Sequence, residues 1–94
     1  MNFDAFQQSI STNTPPVNSN VYLQSLWHDA KGDWEGAHNL IQDVSDKKAA
    51  WIHAYLHRRE GDIWNANYWY TKADKRMPGY SLEQEWEEIV KAML

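Results

Sequence analysis

His53 and His57 are the residues best placed by type and spacing to do chemistry. At positions i and i+4 both imidazoles project from one face of a helix. That is the spacing at which two histidines chelate zinc or nickel. Two ligands do not close a site, so a third has to come from His28, Asp29, His38 or Glu60. Packing is the alternative for the same residues, with half-buried imidazoles bonded to neighbouring carbonyls or carboxylates. Spacing alone does not separate the two readings, because the glutamate of the helical metalloprotease motif is missing.

Arg58 and Arg59, with Glu60, Asp29 and Asp62, form the densest charge group. An Arg–carboxylate pair can knit two helical units together through its planar, bidentate geometry. The functional alternative is that Arg58, beside His57, recognises a carboxylate or phosphate. Asn65 and Asn67 are poor interior helix residues, so they need a hydrogen-bonding reason: a ligand, buried backbone or His53. His28, His57, Arg58, Asn65 and Tyr68 therefore make the candidate ligand or anion site, and His53 with His57 the candidate metal pair. Trp64 lies opposite the expected core stripe and is the candidate interface contact. No catalytic residue is assigned. There is no phosphate-binding glycine loop and no serine nucleophile motif. Glu83, Glu85, Glu87 and Glu88 read as a solvated acidic face.

The elements that must position these residues come from a phrase stated twice. His28-Asp29-Ala30-Lys31-Gly32-Asp33, then Ala37, recurs 29 residues later as His57-Arg58-Arg59-Glu60-Gly61-Asp62, then Ala66. Each glycine suits the end of one helix and each aspartate the cap of the next. Helices are expected over about 21–31, 34–44, 47–60, 63–76 and 82–93 from their apolar periodicity. The third is apolar over so much of its circumference that it belongs at the centre. In the fourth, Ile63, Ala66, Trp69, Tyr70 and Ala73 form the apolar stripe, with Lys72, Lys75 and Arg76 in the last turns. Ser81 and Gln84 make a capping box for the fifth. Phe3, Phe6 and Ile10 allow a short helix near the N-terminus. Ser11 to Asn20, with Pro15 and Pro16, reads as loop. The expected fold is a compact all-α bundle of four to five helices. Residues 1–20 form a short helix and flexible loop, and 21–94 a single helical domain with a C-terminal capping helix.

Bulk properties narrow the class. The chain has 94 residues and 13 aromatics, which suits one thin-cored domain. A net charge of −4 argues against a nucleic-acid or anionic-membrane partner. With no cysteine, thiolate metal sites, disulfides and cysteine nucleophiles are excluded. No apolar run approaches the roughly 20 residues that span a bilayer, and Met1 to Ile10 lacks the basic start and apolar core of a signal peptide. A cytoplasmic location is the resulting expectation.

Gly61-Asp62-Ile63, Ala66, Tyr70, Ala73 and Pro78 resemble the second half of a tetratricopeptide repeat. That family places Gly-Asp at the hairpin turn, alanines where helices cross, an aromatic between them and a closing proline. The resemblance implies two helix-turn-helix units, here with a period of 29 residues. His53-Ala54-Tyr55-Leu56-His57-Arg58-Arg59-Glu60-Gly61-Asp62, followed by Asn65-Ala66-Asn67-Tyr68-Trp69-Tyr70, is also similar to a family of small bacterial and fungal proteins sharing such a phrase. That second resemblance spans roughly residues 23–78. It implies no particular chemistry, only that the segment serves something beyond a hairpin.

Two functions follow as expectations. The first is a non-catalytic helical interaction module, without cofactor, whose surplus aromatics favour a homodimer or an unidentified protein or small-molecule partner. The second is a small metal- or anion-binding protein or enzyme using a His/Arg cleft between the two hairpins. In that cleft His28 is expected beside His57, at the equivalent position of the stacked hairpin.

Overall fold

A computed structural model describes every residue, Met1–Leu94, and it is all helical. Six helices follow one another: α1 Phe3–Ser9, α2 Val21–Ala30, α3 Trp34–Ile41, α4 Lys47–Glu60, α5 Ile63–Lys72 and α6 Leu82–Met93. The five helices expected after residue 20 are all present, and the short N-terminal segment is a capped helix in its own right. Phe6 of α1 is completely buried, with its ring 5.9 Å from that of Trp86.

Each helix starts on a side chain that accepts the backbone N–H three residues on, satisfying one of the amides left free at a helix start. The caps are Asn2, Asn20, Asp33, Asp46, Asp62 and Ser81. At Ser81 the expected capping box with Gln84 is complete. The two repeated turns close alike. Gly32 has φ +83° and Gly61 φ +87°, a left-handed conformation that glycine adopts without strain. The Asp33 amide donates to the His28 carbonyl and the Asp62 amide to the His57 carbonyl, each at 2.9 Å. These are the reach-back bonds of a Schellman ending. The hairpins α2–α3 and α4–α5 are therefore equivalent bends.

α4 lies at the centre, packed by α2, α3, α5 and α6. Every residue from Ala49 to His57 is buried, as its all-round apolar surface requires. Three details differ from the sequence reading. α3 stops at Ile41 and α5 at Lys72, so Lys75 and Arg76 lie outside the helix. α5 ends early because Asp74 takes φ +61° and the Lys75 amide donates back to the Tyr70 carbonyl at 2.9 Å. An aspartate thus fills the place a glycine usually holds. Ile63 is 48 % exposed rather than part of the buried stripe. No helix is long and apolar enough to cross a membrane.

Candidate metal centre

The α3–α4 contact brings three imidazoles together. His53 and His57 project from α4 with rings stacked 4.9 Å apart. His38 of α3 meets them edge-on, 4.7 Å from the His53 ring and 5.4 Å from the His57 ring. His38 Nε2 lies 3.0 Å from His53 Nε2. One ligand nitrogen from each of the three falls within 4.8 Å of the other two. Zinc binds imidazole at about 2.0–2.1 Å, which puts tetrahedral ligand nitrogens roughly 3.3 Å apart. His38 and His53 are therefore already near coordination spacing, with His57 within 4.8 Å of both.

Two tryptophans hold the rings. Trp34, one turn before His38 on α3, stacks on it at 4.9 Å and donates its indole N–H to the Leu56 carbonyl of α4 at 2.7 Å. Trp69 of α5 stacks on His53 at 3.9 Å. Each indole covers one imidazole face.

The electrostatics favour neutral imidazoles at His38 and His53. Burial, with His38 and His57 close by, lowers the His53 pKa to about 4. Burial and His57 also lower His38. Neutral imidazole is the ligating form, so protons compete little for these two at neutral pH. His57 Nδ1 sits 2.6 Å from Oε2 of Glu60. A carboxylate only accepts, so Nδ1 carries a proton and, in the neutral ring, Nε2 keeps its lone pair. This carboxylate–histidine arrangement orients metal-binding imidazoles and raises their basicity. His57, Glu60 and Asp62 also lie at metal spacing, but Asp62 is committed as the α5 cap and to Asn65 Nδ2 at 2.6 Å. Those two bonds lower its pKa.

The structure separates the proposed ligand residues. His28 is not beside His57: its Nδ1 meets Asp33 at 3.1 Å, with its ring edge-on to Trp27. Arg58 donates to Glu85 Oε1 at 2.8 Å and to the Tyr80 carbonyl at 2.5 Å, so it is engaged with α6 and the loop before it. Asn65 serves the Asp62 cap. Tyr68 faces solvent, its ring stacked 6.1 Å from that of Trp64, which is 75 % exposed as expected. Of the four options for the third ligand, His38 joins the pair.

Two groups escaped the sequence reading. Trp34 and Trp69 look like core aromatics but wall the triad. Glu85 is not on a solvated face. It is fully buried and accepts from Trp51 Nε1, Arg58 Nη1 and the Tyr70 hydroxyl. The signal was present: Glu85 lies three residues after Leu82 and four before Ile89, on the helix's buried stripe. Burial and the Glu85 charge push the Tyr70 phenol well above its ordinary range. The inter-hairpin ion pair falls to Arg59, whose Nε lies 3.2 Å from Asp29 Oδ1.

Comparison with protein-family models, curated proteins and solved structures gave no match.

Proposed function

We propose that this protein binds a divalent transition-metal ion of the zinc class through His38, His53 and His57. One observation carries the reading: His38 and His53, from different helices, point Nε2 at Nε2 across 3.0 Å. Without a metal that contact is satisfied by a single N–H···N bond, so one ring must take the Nε2–H tautomer. Metal binding would shift that ring to its Nδ1–H tautomer, so that both Nε2 lone pairs coordinate. His57 supplies a third lone pair, oriented by Glu60. Three imidazoles leave a fourth position for water or a substrate group, the arrangement of catalytic rather than closed structural zinc sites. The all-nitrogen donor set also suits copper and nickel.

Cobalt(II) titration of chelator-treated protein tests the reading. One equivalent should produce the visible absorption of a nitrogen-ligated tetrahedral site, and zinc should bleach it. His38→Ala should abolish it while leaving far-UV helicity unchanged. No saturable band, or a band unchanged in His38→Ala, overturns the assignment.

The interaction-module reading draws on a different observation, the stacked Trp64–Tyr68 pair left in solvent beside exposed Ile63. Its occupant would be a second copy of the chain. A monomer mass that persists at high concentration removes it. We also read α2–α3 and α4–α5 as tetratricopeptide-like units, on the strength of their matching caps and glycine turns.

A further inference from the structure

A cavity of about 420 Å³ opens where α1 and α6 meet the ends of α2 and α4, on residues that the histidine cluster does not use. Its floor holds Asp29, 2 % exposed. Oδ2 of that carboxylate accepts from the Tyr55 hydroxyl at 3.0 Å. Oδ1 is buried and has no hydrogen-bond donor. Arg59 Nε lies 3.2 Å from it, near enough to supply charge but without hydrogen-bond alignment. The Arg59 charge and the Tyr55 hydrogen bond offset only part of the desolvation penalty, and burial still raises the pKa of Asp29.

The walls say what kind of donor fits. Phe3, Ile10, Ala30 and Trp86 line the cavity with apolar and aromatic surface. Glu83 and Glu87 stand among its lining residues with Arg59 as the lone cation, so carboxylates outnumber cations three to one. Lys91, paired with Glu87 at 2.8 Å, already lays its ammonium 5.3 Å from the Phe3 ring centroid. That is the kind of cation–aromatic contact this rim can make. An anion would meet the acidic residues, and a neutral apolar guest would leave Oδ1 bare.

We propose that this cavity binds a primary ammonium group carried on a small aromatic or apolar body, with Asp29 Oδ1 as its charge partner and Phe3 and Trp86 as its walls. Oδ1 is covered while Arg59 lies against it, so the ammonium takes that place as the half-exposed Arg59 side chain swings out, one cation exchanged for another. The volume lies within the range of small-molecule sites. The proposal is independent of the metal reading, since no histidine lines this cavity.

Benzylamine is the probe, with benzyl alcohol and benzoate as neutral and anionic counterparts of the same shape. All three are titrated into isotopically labelled full-length protein in the presence of chelator, which removes metal–amine contact at the histidines. Benzylamine should move the Trp86 indole and Ala30 amide resonances saturably. Both counterparts should bind about tenfold or more weaker, the worth of a charged hydrogen bond. Asp29→Asn should weaken benzylamine by a similar factor. Equal affinity for benzyl alcohol, an unsaturable response, or unchanged binding to folded Asp29→Asn overturns the proposal. Should Asp29→Asn not fold, the amine-to-alcohol ratio on the unsubstituted protein decides alone.

Discussion

His28 and His57 hold the same position in the two hairpins, yet their Nδ1 atoms take different carboxylates: Asp33 at 3.1 Å for His28 and Glu60 at 2.6 Å for His57. Two neighbours account for the difference. Lys31 stands where the second hairpin has Glu60, so His28 has no acid one turn ahead. Gly36 stands where the second hairpin has Asn65. Without a side chain at 36, the Asp33 carboxylate lies over the helix start and reaches His28. At 65 the asparagine amide draws Asp62 to itself at 2.6 Å and leaves His57 to Glu60.

Gly36 therefore has a use that helix propensity alone would not suggest. A Cβ there would lie 2.2 Å from Asp33 Oδ2. Gly36→Ala must swing that carboxylate to the side, as Asp62 is turned at Asn65, which keeps the cap but breaks the contact to His28. We expect the lost His28 contact to take away part of the gain of about 1 kcal/mol that alanine brings in a helix. Gly36→Asn should recover part of that loss by reproducing the Asp62–Asn65 pair. Urea unfolding of the three proteins checks the order.

Glu85 is the charge whose removal should hurt most. Its side chain is fully buried and gathers Arg58, Trp51 and Tyr70 from α4 and α5 onto α6. Glu85→Ala strands a largely buried guanidinium and an indole N–H, and such losses run to about 3–5 kcal/mol. Glu85→Gln keeps an acceptor for both ring groups and should cost less. Thermal melts of the two variants give the ranking, and a Glu85→Ala cost below that of Glu85→Gln would contradict it.

The turns were legible because Gly-Asp pairs carry local chemistry that little else satisfies. The α4 centre was legible because its apolar residues cover the whole circumference. The third imidazole of the triad was one of four options because His38 has no counterpart in the repeat: position 67 is Asn. Only the α3–α4 packing brings it to His53. Glu85 was misread because four glutamates in a short span look like a solvated face, although its register lies on the apolar stripe. The end of α5 was misplaced because Asp74, not glycine, takes the left-handed turn.

Acid should weaken the chelator-treated protein through His53. The unfolded chain takes up a proton on this imidazole near pH 6.5, while the folded protein refuses it until about 4. A histidine with a depressed folded value costs stability as pH falls through that window and nothing above it. A shift of this size corresponds to on the order of 3 kcal/mol at full expression. Urea midpoints at pH 7 and pH 5 should show the loss, and the His53→Gln variant should show a flatter dependence.

Metal should stabilise the fold and do so through the triad. All three imidazoles come from helices that separate on unfolding, so an ion held by the folded chain shifts the equilibrium by mass action. At a free zinc concentration one hundred times the Kd the gain is about 2.7 kcal/mol. Glu60→Gln keeps every ligand but replaces the acceptor that orients His57, and loss of such a partner typically weakens metal affinity about 10–100-fold. At that same zinc concentration its stabilisation should drop to roughly half or less of that gain. His38→Ala should show almost none. Differential scanning fluorimetry across a zinc series, with magnesium as control, reads these outcomes directly. Equal stabilisation of His38→Ala and the parent protein would place the metal elsewhere.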